Sequence, residues 1–366
     1  MQITASRRGK QRIFVQIYFR KVLHYNSNRC IIFINNGQKP YYYAKPMHKR
    51  SSRKEQNRMI KVFIDGKSGT TGLRIYDRLN LRSDVTIITL PEEVRHDPEA
   101  RREAIKSADA AFFCLPDDAA RESAGLAGYS DTVILDTSTA HRTAPGWCYG
   151  FPELSPEREA EVRASKRIAV PGCHASGFCA LVAPLTQTGI IKKDAHLSAF
   201  SLTGYSGGGK KMIAEYESAE RSGLLSFPRQ YALTQKHKHL PEMMKVCSLD
   251  NAPAFIPVVA DFYSGMEVTV PVFASELNGS IENIKEVYRS LYSGGIVRYA
   301  DASDEGGFLS AGAFEGSDAM EISVFGNDER ILLCARYDNL GKGASGAAIE
   351  CMNLALGLEA SKGLSL

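Results

Sequence analysis

From Met59 onward the apolar residues come in short blocks separated by polar stretches of helix length. KVFID precedes the amphipathic TGLRIYDRLN, VTIITL precedes DPEARREAIKSA, DAAFFCLP precedes DDAARESAGLA, and TVILDTS follows. Strands apolar at nearly every position are buried on both faces, and their alternation with helices marks a parallel sheet wrapped on both sides. The pattern predicts a doubly wound, Rossmann-like α/β unit reaching to about residue 165. After Cys173 the texture changes. MEVTVPVF, EISVFG and RILLCAR alternate in the manner of antiparallel strands, with Asn327 and Asp328 forming the turn between the last two. Helical stretches are expected around 208–223 and 281–293, which makes the second part α+β. The closing ASGAAIECMNLALGL is apolar on nearly every side, as a helix buried back against the first unit would be.

Composition fits two folded domains: 366 residues, 44% hydrophobic and 23% charged. No apolar run approaches the roughly 18 residues that cross a bilayer. Eight cysteines form no CxxC pair, and several lie inside apolar runs, so free thiols and a reducing, cytoplasmic compartment are expected. Charge separates off one further piece. Residues 1–58 hold fourteen Lys or Arg and one acid, Glu55, a charge of +13, which leaves −9 on the remaining 308 residues. Such a segment could bind nucleic acid or an acidic surface, serve as a transit peptide, or be an appendage upstream of Met59. The reading adopted is the last, a basic extension that is disordered or not native, with no nucleic-acid partner expected. The division expected is therefore 1–58, then 59–170 with 340–366 for dinucleotide binding, and 171–339 for catalysis and oligomerisation.

Four places carry candidate chemistry. DGKSGTTG sets Gly66, Gly69 and Gly72, with Ser68, Thr70 and Thr71 between them, in a strand-to-helix turn where backbone can approach a pyrophosphate. At the end of the second strand, Glu92 or Glu93 could accept from a ribose hydroxyl, or Arg95 could pair with a 2′-phosphate, so these residues leave NAD and NADP open. In VPGCHASGFC, Cys173 follows a Pro-Gly turn ahead of a helix expected to begin near Ala175 or Ser176 and to kink or end at Pro184. A helix start favours thiolate, so Cys173 is expected to have a lowered pKa, and Cys179 to be inert.

KHKHLPEM supplies His237 and His239 as candidate bases for that thiol. On an extended segment, only one of them would face the site. With Cys173 they could instead bind a metal, but no further ligand stands at zinc spacing and no metal is expected. TGYSGGGKKM offers Ser206 and Lys210, and DTSTAHR offers Arg142, for anion or substrate binding.

Taken together, GKSGTTG, YGFPEL, VPGCHASG, GYSGGGK, HKHLPE and DNLGKGASGAA resemble, in order and from about Met59 to the end, the shorter form of the N-acetyl-gamma-glutamyl-phosphate reductase family. The longer form of that family usually has an aromatic where this chain has His174 and an Asn where it has Val170. The resemblance implies NADPH-dependent reduction of an acyl phosphate in arginine biosynthesis, through a thioester on Cys173. It also implies that Asn339 lies near the nicotinamide, that Gly341 and Gly343 let backbone pass close to the cofactor, and that the chain forms a homo-oligomer through its second domain. Two rivals are carried: aspartate-semialdehyde dehydrogenase, whose chemistry is the same, and a non-catalytic dinucleotide-binding protein with a basic arm.

Overall fold

The computed structural model describes residues 59–366 throughout and, ahead of them, only strand residues 13–17, 21–26, 29–32 and 43–46. The chain divides into two compact units, Met1–Asn57 and Arg58–Leu366. In the first, β1 (Ile13–Ile17), β2 (Lys21–Asn26), β3 (Arg29–Ile32) and β4 (Tyr43–Pro46) pair antiparallel in sequence order. The expectation of a disordered or non-native extension otherwise falls outside the described residues.

In the second unit, β5 (Ile60–Asp65), β6 (Val85–Ile88), β7 (Ala110–Phe113), β8 (Val133–Asp136), β9 (Cys148–Tyr149) and β10 (Arg167–Ala169) form one parallel sheet in the order β6-β5-β7-β8-β10-β9. Helices α1 (Thr70–Asn80), α2 (Pro98–Ser107), α3 (Asp117–Ala127) and α4 (Pro156–Ala164) alternate with its strands. Every residue of β7 and β8 is buried, in keeping with their unbroken apolar sequence. Strand order reverses between β5 and β7, and the crevice outside such a switch point is where doubly wound sheets take ligands.

A seven-stranded mixed sheet follows, in the order β12-β13-β11-β14-β17-β16-β15. Its strands are β11 (Ser198–Gly204), β12 (Arg229–Gln230), β13 (Ala254–Ala260), β14 (Met266–Phe273), β15 (Val297–Tyr299), β16 (Met320–Gly326) and β17 (Arg330–Tyr337). The β16–β17 turn lies where Asn327 and Asp328 were expected to place it, with the Asn327 carbonyl oxygen of its side chain accepting from the Glu329 and Arg330 N–H groups. Helix α6 (Gly209–Glu217) is shorter than the sequence suggests, whereas α8 (Ile281–Leu291) fills its expected span. The closing α9 (Gly346–Ala355) packs into the core of the parallel sheet, with Ala348, Ile349, Cys351 and Met352 fully buried.

Helix α5 (Cys173–Gln187) is the core of the second sheet, and every residue from His174 to Thr186 is buried. It starts two residues earlier than the sequence suggests and runs through Pro184. A helical proline leaves the carbonyl four residues back without its usual donor. The Tyr292 hydroxyl donates to that carbonyl, Ala180 O, at 2.6 Å, and Tyr288 donates to the next, Leu181 O, at 2.5 Å. Tertiary hydroxyls thus replace the missing backbone bond, and the helix continues.

Candidate active site

The two sheets line one cleft of ≈ 540 Å³. Its first wall is the turn after β5. Gly66 has φ +85, and a Cβ there would strike the Cys114 carbonyl; a Cβ at Gly72 would lie 2.6 Å from the Gly66 carbonyl oxygen. Only glycine permits this fold of the loop. Helix α1 then begins at Thr70 with no side-chain cap, so its first N–H groups remain available to an anion. Thr70 Oγ1 is buried without a hydrogen-bond partner. An orphaned hydroxyl beside a glycine cradle at a helix start fits a dinucleotide's phosphates. Gly69, Thr70, Thr71 and Gly72 line the cleft, while Gly66 shapes the turn from behind and Ser68 is exposed. Arg95 pairs with Glu92 at 2.9 Å on the surface, so these residues partner each other rather than line the cleft.

Cys173 is the first residue of α5, half-buried, with Gly172 as N-cap. The backbone N–H of His174 and the charges of Arg142 and Lys238 favour its thiolate, but burial is the larger effect and pushes the thiol up. The expected lowering of its pKa is therefore corrected: on the wall of this cleft the thiol loses more to desolvation than the helix start and the nearby cations return. Cys179 lies one and a half turns deeper beside Cys247, and burial holds it well above the usual thiol range.

The three histidines of the site cluster. His174 is locked between the Ser201 hydroxyl and the Tyr231 hydroxyl, each at 2.6 Å, and burial lowers it to about 3. His237 and His239 have ring centroids 4.7 Å apart, and both line the cleft, contrary to the expectation that one would turn away. The segment is not extended: His239 has helical angles (φ −85, ψ −12) as N-cap of α7 (Leu240–Val246). Burial lowers His237 to about 4 and His239 well below the usual range, with Lys238 and Arg142 adding to both. A Cβ on Gly172 would collide with His239 Nε2 and with Arg142 Nη1, which brings both groups against the N-cap of the cysteine's helix.

Arg142 lines the cleft and is held there by donating to the Val170 and Thr137 carbonyls at 2.9 and 3.0 Å and to Glu242 at 3.1 Å, one bond from each of its nitrogens. Glu242 was not foreseen. Buried at the start of α7, it accepts from the Gly172 N–H at 2.8 Å and from the Tyr149 hydroxyl at 2.7 Å as well as from Arg142. The signal was present in HKHLPE and YGFPEL, which this carboxylate joins.

Ser206 lines the cleft and accepts from the Asn339 side-chain amide at 3.0 Å; that amide's oxygen takes the Gly265 N–H at 2.9 Å. Lys210 is exposed and outside the lining. Gly341 is also outside it: a Cβ there would meet the Ser317 carbonyl, so packing demands the glycine. Gly343 is the one that approaches the nucleophile, its missing Cβ 3.2 Å from that of Cys173. Its π-helical turn, Gly341–Ser345, carries Lys342, which is buried against Glu153 at 2.6 Å and against Glu350.

Comparison with known proteins agrees with this geometry. Residues 83–162 match the family described as semialdehyde dehydrogenase, NAD binding domain, and residues 173–339 match semialdehyde dehydrogenase, dimerisation domain. Among solved structures, aspartate semialdehyde dehydrogenase II of Vibrio cholerae, complexed with ASA, shares the fold with a TM-score of 0.61 at 16% identity, covering 82% of this chain and 98% of that one. The Candida albicans aspartate semialdehyde dehydrogenase with NADP gives a TM-score of 0.58 at 15% identity, covering 82% and 98%. Curated relatives are far more similar in sequence. N-acetyl-gamma-glutamyl-phosphate reductase 2 of Nostoc sp. is 42% identical over 318 residues, 83% of this chain and 99% of the relative. The Brucella ovis N-acetyl-gamma-glutamyl-phosphate reductase is 42% identical over 306 residues, 81% of this chain and 99% of the relative. With a cysteine at a helix start, two histidines and a glycine cradle on one cleft, and this likeness along almost the whole length of those relatives, the chain belongs to the N-acetyl-gamma-glutamyl-phosphate reductase family.

Proposed function

We propose that the chain catalyses NADPH-dependent reduction of N-acetyl-L-glutamyl 5-phosphate to N-acetyl-L-glutamate 5-semialdehyde with release of phosphate, through a thioester on Cys173. The observation that carries the mechanism is the meeting in one cleft of the Cys173 helix start, His239 and the Gly69–Thr70–Thr71–Gly72 turn. Cys173 sulfur attacks the acyl carbon, and the bond to phosphate breaks. His239, neutral at pH 7 because burial and Arg142 suppress its charge, takes the thiol proton in this reading and returns it to the leaving phosphate or, at the end, to the departing Cys173 sulfur. Unpaired N–H groups at the start of α5 stabilise the tetrahedral oxyanion. Gly69 to Gly72 and the N-terminus of α1 would hold the cofactor's phosphates, and Ser206 and Asn339 border the same space. NADPH bound there would supply the hydride that reduces the thioester carbonyl. The resulting hemithioacetal collapses, freeing Cys173 and the semialdehyde.

The matched dimerisation domain supports a homo-oligomer assembled through residues 173–339. Free thiols at the seven cysteines from Cys114 to Cys351 support a reducing compartment such as the cytoplasm. The test runs the reaction backwards: N-acetylglutamate semialdehyde and phosphate should support NADP reduction, with aspartate semialdehyde assayed beside it. Turnover of the aspartate compound alone overturns the substrate assignment.

A further inference from the structure

Tyr337, the last residue of β17, is fully buried and does not line the cleft, yet its hydroxyl ends at the nucleophile's own backbone. It donates to the Cys173 carbonyl at 2.6 Å and accepts from the Gly177 N–H at 3.0 Å. Residue 177 has to be glycine for this: a Cβ there would sit 2.7 Å from the Tyr337 oxygen. Burial keeps this phenol well above its usual range, so it remains a proton donor at any working pH. The Cys173 carbonyl and the His174 N–H belong to one peptide group, and that N–H is the backbone donor that favours the ionised Cys173 sulfur. A peptide whose carbonyl accepts a hydrogen bond becomes a stronger donor at its nitrogen.

We propose that Tyr337 is a positioning residue for the nucleophile: its hydroxyl, oriented by the Gly177 N–H, fixes and polarises the peptide between Cys173 and His174 so that the His174 N–H holds the thiolate. This deepens the reading of Cys173 as nucleophile and rests on it. The chain of donors runs from the Gly177 N–H to the Tyr337 hydroxyl, to the 173–174 peptide, to Cys173 sulfur. The other charged or titratable groups around that sulfur are Arg142, Lys238, Glu242, the Tyr231 hydroxyl and His239, whereas the Tyr337 hydroxyl bonds to the Cys173 carbonyl and the Gly177 N–H. α5 already takes tyrosine hydroxyls on Ala180 and Leu181 at its middle, where they support the helix ahead of Pro184; the one on Cys173 supports no proline.

The experiment measures alkylation of Cys173 by iodoacetamide against pH, peptide by peptide, in the full chain without substrate. Tyr337→Phe should slow alkylation at pH 7 about 1.3- to fivefold and move its midpoint to higher pH, the size of a roughly 10–30% change in a charge-assisted hydrogen bond. Its kcat should fall in step with KM unchanged, because Tyr337 touches no cleft surface. Replacing Tyr337 by 3-fluorotyrosine keeps the shape and strengthens the donor, so it should move the midpoint the other way even if the phenylalanine variant folds poorly. Alkylation curves for the fluorinated chain that superimpose on the parent's overturn the proposal. The readout needs no acyl phosphate, so a wrong substrate assignment would leave it intact.

Discussion

His174, His237 and His239 lose their charge first to burial and only then to the cations around them, so the site is built to keep imidazole neutral. A neutral imidazole can accept the Cys173 proton, which an imidazolium could not. Cys173→Ala should therefore remove activity by a factor on the order of 10⁴–10⁶ with the fold retained, measured as kcat alongside a thermal melt. His239→Asn should cost far more activity than His237→Asn, because His239 sits against the cysteine's N-cap. Equal, small losses in both would refute a histidine base. The same burial has a price in acid. Folded-state values below the unfolded 6.5 mean that between pH 6.5 and about 4 the unfolded chain binds protons the folded chain refuses, so stability falls as pH drops through that window. Each such imidazole contributes up to about 1.4 kcal/mol per pH unit. Urea titrations of His174→Asn should show a shallower slope than the parent by about one imidazole, whatever the variant's baseline stability.

Gly172 shows how an element delivers the nucleophile. The end of β10 turns through Val170 and Pro171, and Glu242 holds the Gly172 N–H while Arg142 holds the Val170 carbonyl. The first turn of α5 is thus pinned from α7 and from the β8–β9 connection at once. Gly172→Ala would push His239 and Arg142 away from the helix start, and displacements near 1 Å cost about 10²-fold in rate. We expect kcat to fall by about that factor while the melting temperature changes little; an unaltered kcat would show that this packing is slack. Strands such as β7 and β8 were legible because apolar runs repeat locally, and the Pro-Gly-Cys turn because turn residues speak for themselves. Glu242 and Tyr337 were not legible, since one meets Gly172 across 70 residues and the other meets Cys173 across 164, and no local period records such a contact. The persistence of α5 through Pro184 was hidden for the same reason: Tyr292 lies 112 residues from the carbonyl that it satisfies. The histidine orientation failed differently, because an extended HxH was assumed where a helix cap begins.

At the scale of the whole folded unit, the link between the two cores is a buried charge cluster. Lys342, in the turn that touches Cys173, reaches Glu153 of the YGFPEL segment and Glu350 of α9, the helix that returns to the parallel sheet. Burial opposes the charge on Lys342, but the two carboxyls outweigh it and the ammonium stays protonated. Burial and then Glu153 push the Glu350 carboxyl well up. A buried ion pair adds little over a well-packed apolar replacement, yet removing one partner strands the other. Lys342→Met should accordingly destabilise the protein by roughly 3–5 kcal/mol in urea denaturation. The loss should shrink as pH falls, since a stranded Glu350 with a raised pKa is relieved by protonation. Adding Glu350→Leu should recover most of the stability. If the double variant unfolds as early as the single one, the lysine's contribution is packing in the turn rather than compensation of buried carboxyls.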